Sequence, residues 1–166
     1  MKIDTSIEKF KALDACHQQI QHFLRELALL LQRVDAGRDD EQCRQQAGAI
    51  ESFFSSTSRQ HHADEEKNVF PALLTSDNTE MVQAVLTLQQ DHGWIEENWI
   101  ELGPMLRSMA AGNDYIDVAE FRHSVEVFLE LCSDHIALEE SLIYPEYKAR
   151  LARELASRAA RTGAST

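Results

Sequence analysis

Four stretches of this chain place apolar residues alternately three and four positions apart, the spacing that gives a helix one apolar stripe. The stripes cover residues 10–34, 50–72, 85–106 and 121–142, and the second is the least regular. No stretch shows the sustained alternation of a strand. The connections are short, and short connections make neighbouring helices run antiparallel. The pattern therefore predicts an all-α fold, specifically an antiparallel up-down four-helix bundle.

Residues that begin or end helices fall between the stripes. Gly37 and Gly112 are expected to end the first and third helices, and residues 75–79 (TSDNT) separate the second from the third. Asp39 and Asp117 offer side chains that cap the second and fourth helices. These positions support the division into four helices.

The length favours one domain. A chain of 166 residues with 43% hydrophobic residues can bury a substantial core. We expect residues 1–160 to form a single domain and residues 161–166 to be a frayed tail. Pro104 interrupts the third stripe and is expected to kink or end that helix near Gly103.

Charge and cysteine content exclude several classes of protein. The formal net charge of −12 argues against nucleic-acid binding, which needs a basic surface. No apolar run approaches the ~20 residues that span a bilayer, and the first residues contain no apolar signal segment. The odd, widely spaced Cys16, Cys43 and Cys132 favour a reducing compartment over a disulfide framework. We therefore expect a cytoplasmic protein without a membrane partner.

Each stripe contains a histidine where the pattern calls for an apolar residue. Two of these histidines are followed four residues later by a glutamate on the same helix face, and a third has a glutamate at the same spacing just off the stripe. The candidate metal-binding residues are His17, His61, Glu65, His92, Glu96, His135 and Glu139.

Buried imidazoles and carboxylates cost several kcal/mol each unless something compensates them. A divalent or trivalent metal ion provides that compensation, because both groups are natural metal ligands. Four histidines and two or three glutamates in one core therefore predict a metal site near the middle of the bundle.

An internal repeat strengthens this prediction. Residues 61–71 read HHADEEKNVFP and residues 135–145 read HIALEESLIYP, so both follow H-x-x-x-E-E-x-x-[VI]-[FY]-P. A ligand pair repeated on two helices indicates a pseudo-two-fold site with one carboxylate from each half. Such a site suits two metal ions.

The complete pattern, H…HxxxEExxxFP…H…HxxxEExxxYP, resembles the hemerythrin-like, or HHE cation-binding, family over roughly residues 10–150. The resemblance implies a four-helix bundle around a non-haem di-iron centre, with two iron ions bridged by an oxo or hydroxo group. It implies that the four stripe histidines are iron ligands. It also implies that Glu65 and Glu139 bridge the two ions.

The sequence departs from the oxygen-carrying hemerythrins at two places. Those proteins have a second histidine where this chain has Glu96, and an aspartate where Glu140 follows Glu139. Four histidines with three carboxylates form a more anionic set, which favours ferric iron and lowers the potential. The departure favours oxidase, peroxidase or nitric-oxide-reducing chemistry over reversible oxygen carriage.

Two other functions remain open at this point. One is an iron or oxygen sensor, or an iron-handling protein, that binds without turnover. The other is a structural zinc bundle, which is disfavoured because structural zinc prefers four ligands, often cysteine. The small ligand is expected to be O₂, peroxide or nitric oxide.

Several other residues lie near the candidate ligands, but their spacing does not predict that they bind the metal. Glu66 and Glu140 lie about 100° around the helix from the bridging candidates, and His62 lies as far from His61. His22 and His123 are expected at the surface. A further pair, Trp94 and Trp99, is expected in the core.

Overall fold

A computed structural model describes residues 2–113 and 116–163 of the chain. These residues are almost entirely helical and contain no strand. The α-helices are α1 (Lys2–Asp35), α2 (Glu41–Ser55), α3 (Thr57–Asn68), α4 (Phe70–Leu74), α5 (Thr79–Ala110), α6 (Val118–Leu138) and α7 (Tyr144–Gly163). A single π-helical turn, Glu139–Ile143, joins α6 to α7. The predicted all-α class is confirmed.

The predicted second and fourth helices are interrupted near the repeats. The second is divided into α2, α3 and α4, with breaks at Ser56 and Val69. The fourth continues from α6 into α7 through the π-helical turn, which begins at Glu139. π-Helical turns are rare and are frequently found at functional sites, so the turn at Glu139 marks the second repeat as a candidate site.

The helices begin and end at or next to the residues predicted to cap or end them. Gly37 and Gly112 have positive φ angles of 77° and 78° and end α1 and α5. Asp117 caps α6 as predicted, whereas Asp40, one residue after the predicted Asp39, caps α2 by accepting a hydrogen bond from the Cys43 amide.

Of the two outcomes expected at Pro104, a kink or a helix end, the structure excludes the second. Pro104 does not end its helix near Gly103, because α5 continues to Ala110 with the proline inside it. The predicted tail at 161–166 is helical as far as Gly163, the last residue of α7. Residues 164–166 lie outside the described residues.

The core has two apolar clusters, and the stripe histidines lie between them. On α1, His17 stands between Leu13 of one cluster and Ile20 of the other. On α5, His92 stands between Leu88 and Ile95 in the same way. The fold therefore has a polar layer across its interior. Within the described part of the chain, no helix is long and apolar enough to cross a bilayer.

Candidate metal centre

The first group of polar side chains in this layer is fully buried. His17 of α1, His61 and Glu65 of α3, and Glu139 of the π-helical turn each offer a ligand atom within 4.8 Å of the others. His17 Nε2 lies 3.9 Å from Glu65 Oε1 and 3.7 Å from Glu139 Oε1, and His61 Nε2 contacts Glu65 Oε1. The predicted pairing of the two repeats through their glutamates is present in the fold.

The second group consists of His62, His92 and His135, whose ring nitrogens also lie within 4.8 Å of one another. His92 Nε2 and His135 Nε2 are 3.2 Å apart. The two groups meet at the glutamates, since His92 Nε2 is 3.8 Å from Glu65 Oε2 and His135 Nε2 is 2.6 Å from Glu139 Oε1. Each glutamate thus reaches histidines of both groups.

The charges of the site raise the pKa values of three of its histidines, His17, His61 and His135. Burial alone would lower the pKa of His17, but the adjacent carboxylates of Glu139 and Glu65 outweigh it and raise that pKa to about 10. Burial is similarly outweighed at His61, where neighbouring Cys16 and Glu65 raise the pKa to about 9. At His135, Asp91 and Glu139 outweigh burial and raise the pKa to about 9.

Two other histidines shift in the opposite direction. Burial, together with the positive charge of neighbouring histidines, holds the pKa of His62 well below its ordinary value and lowers that of His92. Both rings are therefore neutral near pH 7, the form in which imidazole binds a metal ion. Burial and the charge of Glu65 also raise the pKa of Glu139.

The residues present fit a bound metal. Among the described residues, several buried polar atoms of the site have no hydrogen-bond partner, a condition that costs about 1–3 kcal/mol for each group. They are His17 Nδ1 and Nε2, His61 Nδ1, Glu65 Oε2, His135 Nδ1 and both carboxylate oxygens of Glu139. Nitrogen and oxygen donors of this kind suit iron and related transition metals. The arrangement therefore supports metal binding.

Three carboxylates approach the site histidines from outside. Glu66 Oε1 lies 2.9 Å from His92 Nδ1, and Glu140 Oε1 lies 3.5 Å from His17 Nδ1. Asp91 Oδ2 lies 3.6 Å from His135 Nδ1. Sequence reasoning left Glu66 and Glu140 outside the ligand set and did not single out Asp91. The doubled E-E of the repeat was the available signal.

The aromatic residue of each repeat packs on a site histidine. Tyr144 stacks on His17 with ring centroids 4.4 Å apart, and its hydroxyl lies 3.4 Å from Glu65 Oε1 and 3.5 Å from His61 Nε2. Phe70, its counterpart in the other repeat, stacks on His92 at 5.5 Å. Sequence reasoning noted this aromatic position but gave it no role.

Glu96 does not join either group. Its side chain is 44% exposed and forms an ion pair with Arg59 of α3, with Glu96 Oε1 2.5 Å from Arg59 Nη2. A residue four positions after His92 lies about 40° around the helix, which here is enough to direct it to the surface. The expectation that Glu96 is a ligand is therefore corrected.

His62 takes a position that the spacing did not indicate. Its half-buried ring stacks on His92 with centroids 4.1 Å apart, because one residue turns about 100° around α3 and directs His62 toward α5 while His61 contacts α1 residues. His22 and His123 are exposed as predicted. Trp99 is buried, but Trp94 is 54% exposed and does not belong to the core.

A small cavity of about 10 Å³ lies against both groups, with room for roughly one water-sized molecule. Its polar side consists of His17, His61, His62, His135 and Glu139, together with Ser58. Its apolar side consists of Ile20, Ile95, Cys132 and Ile136. The site thus includes space for a small ligand beside its histidines.

Comparison with known proteins agrees with this geometry. Residues 9–147 match the model of the hemerythrin HHE cation binding domain. A relative from Haemophilus influenzae (strain ATCC 51907 / DSM 11121 / KW20 / Rd), described as an uncharacterized protein, is 29% identical over 137 residues. That match covers 81% of this chain and 76% of the relative.

Proposed function

This chain belongs to the hemerythrin HHE cation-binding domain family, and on that premise we propose that it is a non-haem di-iron protein that binds or reduces a small oxidant. The oxidant would be O₂, peroxide or nitric oxide. Bound iron would supply the electrons and an open coordination position for such a molecule. The protein supplies the donor atoms, the apolar surroundings and the limited space.

The proposal assigns the donor atoms to the two groups. His17 and His61 would hold one ion, and His92 and His135 would hold the other. Glu65 and Glu139 would bridge the ions, in keeping with the contacts each makes to both groups. In this reading α1, α2–α4, α5 and α6–α7 are the four members of an antiparallel bundle.

His62 is the seventh donor in this proposal, in the place that Glu96 was expected to fill. Its ring already faces His92 and His135, and its low pKa keeps it neutral. The set then has five histidines and two carboxylates, the same balance as the oxygen carriers. The sequence-based preference for oxidase, peroxidase or nitric-oxide chemistry, which rested on a third carboxylate, loses that support.

The observation that carries the proposal is that Glu65 and Glu139 each reach histidines of both groups. The cavity beside these groups, about 10 Å³, has room for roughly one water-sized molecule, so a larger organic substrate does not fit there. The buried apolar wall also limits bulk water, which strengthens electrostatic interactions inside the site. A larger groove of about 740 Å³ between α1 and α3 is lined by Cys16 and His61 and offers a route from the surface.

Rapid mixing tests the proposed function. The iron-loaded, reduced protein is mixed separately with O₂, H₂O₂ and nitric oxide while the absorption of the site is followed. A reversible O₂ adduct indicates carriage, and repeated consumption of an oxidant indicates catalysis. Oxidation by none of the three would contradict the proposal and favour an iron-handling role.

A cavity-filling variant makes this test specific to the pocket. Cys132→Leu adds volume to the apolar wall and is expected to slow the reaction without removing the metal. Cys43→Leu is the matched control, because Cys43 is equally buried but lies away from the cavity, near the end of α1. Equal reaction rates in the two variants would show that the cavity does not receive the oxidant.

A further inference from the structure

The two repeats contact the site histidines of other helices in an equivalent way. Glu66 and Phe70 of the first repeat both contact His92 of α5. Glu140 and Tyr144 of the second repeat both contact His17 of α1. The second glutamate and the aromatic residue of each repeat therefore act on one histidine that the repeat does not itself contain.

The histidines of the repeats themselves, His135 and His61, are in turn approached by residues of α5 and α1. Asp91, which precedes His92, faces His135 of the second repeat. Cys16, which precedes His17, lies beside His61 of the first repeat and lines the same groove. Each of the four stripe histidines thus has one polar group near its outer side, a carboxylate in three cases and a thiol in the fourth.

We propose that Glu66 and Glu140 are positioning residues, each of which holds the histidine of a neighbouring helix with its Nε2 directed at the metal. A neutral imidazole has one N–H, and the group that accepts from it decides which nitrogen is free to bind a metal. A carboxylate at Nδ1 fixes the ring and increases the basicity of Nε2. The repeat keeps two adjacent glutamates because the first faces the metal and the second orients a ligand.

The two contacts are expected to differ in strength. Glu66 makes a hydrogen bond of 2.9 Å to His92. Glu140 makes no hydrogen bond to His17: its Oε1 is 3.5 Å from His17 Nδ1 and accepts instead from the Gln21 amide at 3.3 Å. Since both glutamates are about half exposed, solvent weakens the interaction. We expect the effect of removing Glu66 to exceed that of removing Glu140.

This inference rests on the proposed metal binding, and titration with Co²⁺ tests it without any activity assay. Metal-free protein is titrated anaerobically while the visible bands of bound Co²⁺ are recorded. Glu66→Ala is expected to weaken binding about tenfold, the lower end of the usual effect of such partners. It should also shift the Co²⁺ bands. Glu66→Gln retains an acceptor oxygen, so part of the affinity should return. Glu140→Ala should lose less Co²⁺ affinity than Glu66→Ala.

Glu97→Ala on α5 and Glu130→Ala on α6 are the matched controls, because both remove an exposed glutamate. A purely structural role would lower the unfolding midpoint of metal-free Glu66→Ala and leave the Co²⁺ bands in place. Affinities and bands equal to those of the controls, or that structural result, would overturn the positioning role. Absence of Co²⁺ binding by the unaltered protein would instead count against the proposed function.

Discussion

The ring of Tyr144 lies nearly parallel to the imidazole of His17, with centroids 4.4 Å apart and an angle of 9° between the planes. Its hydroxyl lies 3.4 Å from Glu65 Oε1, inside the layer that contains the site. The equivalent residue of the other repeat is Phe70, which packs on His92 without a hydroxyl. The two halves of the site therefore differ in one protic group.

Tyr144→Phe tests the role of that hydroxyl. The ring stacking remains, so metal content should be unchanged, and the unfolding free energy should fall by about 1 kcal/mol, the value of one hydrogen bond. Because Glu65 loses a donor, the absorption of the iron site should shift. Tyr147→Phe is the control, since its hydroxyl donates to the Asn68 carbonyl, outside both groups. An identical spectrum in both variants would count against a role for the Tyr144 hydroxyl.

Glu65→Ala and Glu139→Ala are expected to lose metal and to destabilise the protein. Each change leaves a buried histidine cluster without its carboxylate, and breaking a buried pair costs about 3–5 kcal/mol. Metal content and thermal unfolding measure the two effects. Unaltered iron loading and melting temperature in either variant would contradict the assignment.

Paired variants test the proposal that His62, and not Glu96, binds the metal. His62→Ala should reduce the bound metal, whereas His123→Ala, at an exposed histidine, should not. Glu96→Ala should leave metal content unchanged and cost at most about 1 kcal/mol, as for an exposed ion pair. Loss of metal in Glu96→Ala but not in His62→Ala would restore the sequence-based ligand set.

The stability of the metal-free protein should decrease as the pH rises above neutrality. The folded-state pKa values of His17, His61 and His135 are raised to about 10, 9 and 9, above the ordinary 6.5. Their contribution is fully present below about pH 6.5 and is lost as the pH rises through 9 and 10. Metal-loaded protein should lack this decrease, because its metal-bound imidazoles are deprotonated, as the imidazoles of the unfolded chain are above about pH 6.5. Urea unfolding at several pH values, with and without metal, measures both slopes.

Much of the site was predictable because helical periodicity assigns side chains to faces. The positions of His17, His61, His92 and His135 within apolar stripes indicated their burial, and the structure brings them together in one layer. The confirmed family resemblance rests on these residues and on the two repeats. The spacing of three and four residues was sufficient to predict that these four histidines are buried.

The other features of the site depend on which neighbouring helix a side chain contacts. The periodicity of one helix does not contain that information. Glu96 and His62 both lie off a stripe, by about 40° and 100°. Glu96 nevertheless pairs with Arg59 at the surface, whereas His62 stacks on the buried ring of His92. The π-helical turn at Glu139 has no sequence signal of the kind that glycine or proline gives. Cross-helix contacts such as that of Glu66 with His92 became visible only in three dimensions.

Metal identity and stoichiometry in protein purified without added metal test the central claim most directly. We expect about two iron ions per chain, bound by the His62-containing set of five histidines and two glutamates. Stoichiometric zinc, or protein that remains metal-free and cannot be loaded with iron, would contradict it.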